Sequence, residues 1–233
     1  MTITALPSSP TAPTVGLTRP TRYALAVVAA LGPVCMAGWA LTSPNTVSDS
    51  VPEAAAHLAA DPVGAQLSLL LVFLAGLLGA VGALVVGAVV RRGAPRFGAV
   101  AASIAFVGFV TATYPGPVAA IAASRAAGLT QAQVLDLIAA VDAQPLGVLA
   151  AALFVCVPAG ILLLGIAALL CARQRRCPWW VAILLAAATP LIIIGGFTSM
   201  LALAVGWAVT AVAFGAAGWV YATEQECSSP LDR

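Results

Sequence analysis

Residues 66–90 read QLSLLLVFLAGLLGAVGALVVGAVV, and residues 91–96 then read RRGAPR. The first stretch is apolar and uncharged along its whole length, and it ends at a cluster of arginines. An α-helix rises about 1.5 Å per residue and the hydrocarbon core of a bilayer is about 30 Å thick, so about 20 apolar residues cross it as a helix. We therefore predict that residues 66–90 form a membrane-spanning helix.

Five further apolar runs accompany this one. They cover residues 23–41, 97–113, 146–172, 178–197 and 200–222. The composition agrees, because 62% of the 233 residues are hydrophobic and only 8% are charged, whereas a soluble domain carries about 25% charged residues. The sequence predicts an all-α fold, a polytopic transmembrane helix bundle of about six spans. Residues 1–22 are expected to form a disordered cytoplasmic tail, and residues 223–233 a second cytoplasmic tail.

The arginines predict how the spans are oriented, because basic residues in short loops resist translocation. Eight of the ten arginines precede the first span or lie in two short loops on the same side of a six-span arrangement: Arg19, Arg22, Arg91, Arg92, Arg96, Arg173, Arg175 and Arg176. The other side has Arg125 and five carboxylates: Asp49, Glu53, Asp61, Asp136 and Asp142. We expect a multi-pass protein of the bacterial plasma (inner) membrane with cytoplasmic termini. The alternative for the first span is a signal peptide cleaved near Ala40, although the bulky Trp39 suits cleavage poorly.

Two polar segments between spans resemble each other. One opens with a Ser-x-x-Glu capping box at residues 50–53 and the other with a Thr-x-x-Gln box at residues 130–133. They end at Pro62 and Pro145, and each leads into a span that contains Ala-Gly and closes on an arginine cluster. We predict a tandem hairpin repeat in which each pair of spans encloses an outer amphipathic helix. The alternative is chance similarity in an alanine-rich chain.

The most distinctive polar constellation is Glu53, His57 and Asp61, spaced by four residues in the first outer segment. This spacing puts three side chains on one helical face. Such a face suits a divalent cation or a proton relay at the outer surface, since histidine titrates near neutral pH. The competing interpretation, which we favour, is the water-facing side of an interfacial helix. We predict no catalytic residue, no metal site and no cofactor.

None of the six predicted spans contains Asp, Glu, Lys, Arg or His. Ion-coupled carriers and most intramembrane enzymes need ionisable groups at depth, so this pattern argues against both classes. The hydroxyl side chains within the spans are expected to support helix packing. They are Ser68, Ser103, Thr111, Thr113, Thr189 and Thr210. The five cysteines form no Cys-x-x-Cys pair, which argues against a thiol-redox enzyme.

Small residues and prolines shape the predicted spans. Gly76, Gly79, Gly82 and Gly87 permit close helix packing, either within the chain or at a homodimer face. Three prolines lie within spans and are expected to kink them: Pro33, Pro158 and Pro190. Kinked helices can border a lipid-sized pocket, although the commoner outcome is only a bent bundle. Six arginines next to spans are candidates for lipid-headgroup contacts, or are topology signals alone: Arg91, Arg92, Arg96, Arg173, Arg175 and Arg176.

The layout resembles a broad set of multi-spanning actinobacterial membrane proteins of unassigned activity. The resemblance rests on the Pro/Thr-rich tail, the Ala-Ala-Asp-Pro end at residues 59–62 and the Arg-Arg-x-x-Pro-Arg turn at residues 91–96. It implies fold and location only.

Three functions of different classes remain. We favour a non-enzymatic accessory protein that binds a lipid or a membrane partner, which includes a second copy of itself. The alternatives are a small permease or exporter component and a membrane enzyme that uses the Glu53, His57 and Asp61 face. The net charge of +2 argues against a nucleic-acid partner.

Overall fold

The computed structural model describes residues 17–114, 119–121, 124 and 127–224. All regular secondary structure in these ranges is helical, which confirms the predicted all-α fold. The helices are α1 (Arg19–Thr42), α2 (Val51–Ala60), α3 (Pro62–Val90), α4 (Pro95–Thr111), α5 (Gln131–Asp142), α6 (Pro145–Phe154), α7 (Cys156–Arg173), α8 (Trp179–Thr198) and α9 (Met200–Glu224).

Five helical segments are long and apolar enough to cross a bilayer: α1, α3, α6 with α7, α8 and α9. The shorter apolar helix α4 has 17 residues, or about 26 Å at the usual rise per residue. The chain is therefore a multi-pass membrane protein, and the prediction of about six spans is confirmed.

The spans form a closed ring in which each packs against the next in the chain. The order around the ring is α1, α3, α4, α7, α8 and α9, and α9 returns to pack along α1. The pairs are antiparallel: Gly32 of α1 lies against Gly79 of α3, and Gly218 of α9 lies against Ala26 of α1. Both ends of the described chain therefore lie at the same end of the bundle.

Aromatic side chains fill the middle of this ring. Phe109 of α4 lies across the ring from α9, with centroid distances of 6.3 Å to Phe214 and 6.5 Å to Trp207. All three are at most 3% exposed. Room for two of them comes from α3, because a methyl group on Gly79 would overlap the Phe109 ring and one on Gly82 would crowd Phe214.

Prolines affect the spans unequally. Helices α6 and α7 are separated at Val155, three residues before Pro158. Proline has no amide hydrogen to donate to the preceding turn, which weakens the helix there. The hydroxyl of Thr189 on α8 donates to the carbonyl of Pro158 at 3.4 Å and ties the two helices together. Pro33 and Pro190 instead lie inside the continuous helices α1 and α8.

Two short helices, α2 and α5, lie at one end of the ring, which we name the cap face. They share a small apolar core to which Ala55, Leu58 and Ile138 belong. Both begin with the predicted capping box. The amide of Ser50 donates to the carboxylate of Glu53 at 2.8 Å, and that of Thr130 to the side-chain carbonyl of Gln133 at 2.9 Å.

The opposite end of the ring, which we name the arginine face, contains the start of α1, the end of α9 and the turns at residues 91–94 and 174–178. Tyr23 and Trp219 pack edge to face there, with ring centroids 5.7 Å apart. Amphipathic aromatic rings of this kind favour the depth of lipid headgroups.

Candidate functional site

At the cap face, each of the three residues that the sequence placed on one helical face has its own local partner. The Nδ1 atom of His57 lies 2.9 Å from the Oδ2 atom of Asp49, which precedes α2. Glu53 accepts hydrogen bonds from Ser50, and Asp61 accepts one from the amide of Gly64 at 2.9 Å, which caps α3. Among the described residues, no group of three His, Cys, Asp or Glu side chains is arranged to hold a metal ion.

The cap-face carboxylates serve the local fold. The hydroxyl and the amide of Thr46 donate to Asp49 and, with a smaller contribution from His57, lower the pKa of Asp49 to about 2. The hydroxyl and the amide of Ser50 likewise lower the pKa of Glu53. Both groups are therefore ionised at neutral pH and hold the loop against the N-terminus of α2. The two carboxylates therefore fix a turn at the start of α2.

A more promising feature is an apolar pocket of about 280 Å³ between four spanning segments. Its lining comes from α1 (Met36, Trp39), from α6 and α7 (Phe154, Val157, Pro158), from α8 (Ile192, Ile193, Gly196, Phe197) and from α9 (Leu203, Trp207). Every lining side chain is uncharged. The pocket is suited to hydrocarbon and has no group that could activate water.

The pocket lies in the half of the bundle nearest the cap face. Met36 and Trp39 belong to the last two turns of α1, and Leu203 and Trp207 to the first two turns of α9. The mouth is on the outer side of the ring, because Phe197 at the rim is 87% exposed. A chain that spans a membrane presents this side to lipid, so the pocket opens laterally into the bilayer.

Local sequence explains how the pocket forms. The interruption at Val155 and the missing amide hydrogen of Pro158 separate α6 from α7 at the pocket wall. Gly196 leaves space, since a methyl group built there meets no atom within 4 Å. The adjacent Gly195 is different, because a methyl group there would overlap the backbone of Leu203. The proline pattern allowed for a pocket but did not predict one, and Gly196 carried no distinguishing sequence signal.

The glycines of α3 pack within the chain. A methyl group on Gly76 would overlap α4 near Phe109, one on Gly82 would crowd Ala29 of α1, and one on Gly87 would overlap Ala102 of α4. All four predicted packing glycines, Gly76, Gly79, Gly82 and Gly87, are buried in the single chain. This surface of α3 is therefore occupied by α1 and α4.

At the arginine face, two basic turns are joined to each other. The guanidinium of Arg176 donates to the backbone carbonyl of Arg92 at 2.6 Å. The side-chain amide of Gln174 donates to the backbone carbonyl of Gly93 at 2.9 Å. The sequence indicated the arginines but not these contacts, which join residues more than 80 positions apart. Arg176 therefore has a structural partner.

Four other arginines of the predicted headgroup set are exposed at this face: Arg91, Arg96, Arg173 and Arg175. Beneath the joined turns, burial raises the pKa of the Cys177 thiol to about 11, so this thiol stays protonated at neutral pH. The exposed guanidinium groups therefore make this face basic, and the buried thiol adds no charge to it. Comparison of the chain with protein-family models, with curated proteins and with solved structures gives no match.

Proposed function

We propose that this chain is a non-enzymatic membrane protein that binds the acyl chain of a lipid in the apolar pocket. The observation that carries the proposal is the pocket itself, which is uncharged and open to the side of the bundle. Its volume suits part of one hydrocarbon chain and is smaller than most sites for drug-sized ligands. The proposed role is an accessory one, in which the bound lipid is held or sensed.

Two features of the bundle favour lipid binding over the alternatives. The six predicted spans contain no Asp, Glu, Lys, Arg or His, and the middle of the ring is filled by Phe109, Trp207 and Phe214. A permease of this size would need a polar path through that middle. An enzyme at the cap face would need His57 beside Glu53 and Asp61, whereas His57 is paired with Asp49.

The proposed location is the bacterial plasma membrane, with the arginine face and both termini in the cytoplasm. The distribution of arginine supports this orientation. The packing of α1 supports its retention in the mature protein, because Ala29 of α1 is fully buried and Gly32 lies against Gly79. Cleavage near Ala40 would remove one member of the ring.

A photoactivatable fatty acid tests the binding proposal directly. Cells that express the protein incorporate a diazirine-bearing fatty acid into their lipids, and cross-linked peptides are mapped by mass spectrometry after irradiation. We expect cross-links to concentrate on the residues between 192 and 207 that line the pocket, rather than on other exposed apolar positions such as Ile183 and Val212. The lining residues in this range are Ile192, Ile193, Gly196, Phe197, Leu203 and Trp207.

A matched pair of variants makes the test specific. Gly196→Leu places a side chain where the pocket has open space and is expected to reduce cross-linking at residues 192–207. Val212→Leu changes an exposed apolar residue outside the pocket and is expected to have no effect. Cross-links spread evenly over all lipid-facing helices, or an unchanged pattern in Gly196→Leu, would refute the proposal.

A further inference from the structure

A second recess, about 370 Å³ in volume, lies at the arginine face, at the opposite end of the bundle from the apolar pocket. It is lined by Ala172, Arg175, Cys177, Pro178 and Trp179. One side presents a guanidinium group and the other an indole ring that is 52% exposed. We name this recess the Arg175 groove.

The end of α7 positions Arg175. The amide of Arg176 donates to the carbonyl of Cys171 at 3.1 Å and the amide of Arg175 to that of Ala172 at 2.9 Å, which is a Schellman turn. Arg175 adopts φ 56°, the left-handed conformation that glycine normally supplies at this position. An arginine kept at a sterically costly position indicates that its side chain is needed there.

The electrostatics of the groove favour an anion. The two turns at residues 91–94 and 174–178 contain no Asp or Glu, and Arg91, Arg96 and Arg173 are exposed on the same face. The Cys177 thiol in the groove adds no negative charge, since burial raises its pKa. A guanidinium group presents N–H donors in a planar fork that matches the oxygens of a phosphate.

The two helices that border the groove both carry exposed apolar side chains. Leu170 of α7 is 38% exposed and Ile183 of α8 is 57% exposed, and both lie within spans that face lipid. Trp179, between them in sequence, has the amphipathic character that favours headgroup depth. A ligand with both a phosphate and hydrocarbon chains therefore fits better than a free phosphate ion.

We propose that the Arg175 groove binds the headgroup phosphate of an anionic phospholipid, with Arg175 as the donor and Trp179 against the glycerol and upper acyl region. The groove shares no residue with the apolar pocket, so the two proposals stand or fall separately. The lipid in this groove lies in the leaflet at the arginine face, which we propose to be the cytoplasmic one.

Native mass spectrometry of the purified protein tests this assignment, with phosphatidylglycerol and phosphatidylcholine as probes. We expect preferential retention of phosphatidylglycerol. Arg175→Gln is expected to reduce its affinity about fivefold, which corresponds to the usual contribution of one basic residue at a membrane surface. Arg173→Gln is the matched control, because Arg173 is exposed on the same face but does not line the groove.

Arg175→Gly separates binding from folding. Glycine suits the left-handed turn, so this variant should be at least as stable to heat as the parent protein and still lose about fivefold in phosphatidylglycerol affinity. Equal losses in Arg173→Gln and Arg175→Gln, or equal retention of the two lipids, would overturn the proposal. Binding of inorganic phosphate with the same dependence on Arg175 would also overturn it, since the ligand would then be a free anion.

Discussion

Gly32 of α1 lies directly against the backbone amide of Gly79 of α3, so that a methyl group on Gly32 would overlap it. Close approach of this kind matters in lipid, where van der Waals contact between helices replaces the hydrophobic drive. On α3, Gly79 makes room for the ring of Phe109 and Gly82 makes room for the ring of Phe214. The contact between α1 and α3 is thus part of the packing that fills the ring.

The substitution Gly32→Ala is therefore expected to destabilise the bundle by about 1–3 kcal/mol, because two helix backbones must separate to admit the methyl group. Thermal unfolding in detergent measures the effect. Gly38→Ala on the same helix is the control, since its new methyl group would meet the Leu71 side chain at an ordinary 3.7 Å. Equal stability of the two variants would show that the helices are not in close contact at Gly32.

Arg175→Gly is expected to raise the stability of the chain by about 1 kcal/mol, because the left-handed conformation is costly for a residue with a side chain. The measurement is the midpoint of thermal unfolding in detergent without added anionic lipid. Arg173→Gly, inside the last turn of α7, should instead lower stability by up to about 1 kcal/mol. A lower midpoint for Arg175→Gly would contradict the left-handed turn.

The stability of the N-terminus of α2 should depend on pH through Asp49 and Glu53. Hydrogen bonds from Thr46 and Ser50 hold the pKa values of these carboxylates below their ordinary range, to about 2 for Asp49. A carboxylate whose pKa is lowered by folding stabilises the folded state at pH values above its unfolded-state pKa of about 4. This stabilisation is lost as the pH falls towards the pKa of the folded state.

Hydrogen exchange of the α2 amides, corrected for the intrinsic rate, reports this dependence. We expect steady protection from pH 7 to about pH 4 and a loss of protection as the pH falls towards 2. Glu53→Gln should weaken protection already at pH 7, because the amide accepts less strongly from Ser50. If protection of the α2 amides instead rose on acidification, the pH dependence would have the opposite sign. That result would contradict the hydrogen bonds from Thr46 to Asp49 and from Ser50 to Glu53.

Much of the fold follows from the sequence because lipid imposes a strict requirement. A spanning segment must satisfy all its backbone hydrogen bonds internally, so uncharged apolar runs in this chain become helices. The capping boxes at Ser50 and Thr130 were also predictable, since each joins residues three positions apart. These are local features that need no knowledge of distant contacts.

Features that depend on distant residues were not predictable in this way. Helical spacing predicted that Glu53 and Asp61 share a face with His57, but it gave no sign that the preceding loop brings Asp49 to within 2.9 Å of His57. The contact between α9 and α1 and the hydrogen bond from Arg176 to Arg92 join distant parts of the chain. The pocket requires four spanning segments at once, so Pro158 indicated only one wall.

The proposed orientation predicts the behaviour of reporter fusions. A periplasmic alkaline phosphatase fused after Pro95 or after Arg176 should be inactive, because both positions lie in the basic turns proposed to be cytoplasmic. A fusion after Gln144, at the cap face, should be active. Activity after Arg176 would reverse the orientation and place the Arg175 groove in the outer leaflet.

The central claim, that lipid hydrocarbon enters the apolar pocket, is tested most directly by the fluorescence of Trp207, which lines the pocket but is only 3% exposed. A variant that keeps Trp207 and has phenylalanine at the other four tryptophans, Trp39, Trp179, Trp180 and Trp219, is reconstituted with lipids brominated along their acyl chains. The account predicts strong quenching of Trp207 that Gly196→Leu reduces by about half or more, since the leucine occupies the space of the quencher. Unquenched emission, or quenching that Gly196→Leu leaves unchanged, would contradict it.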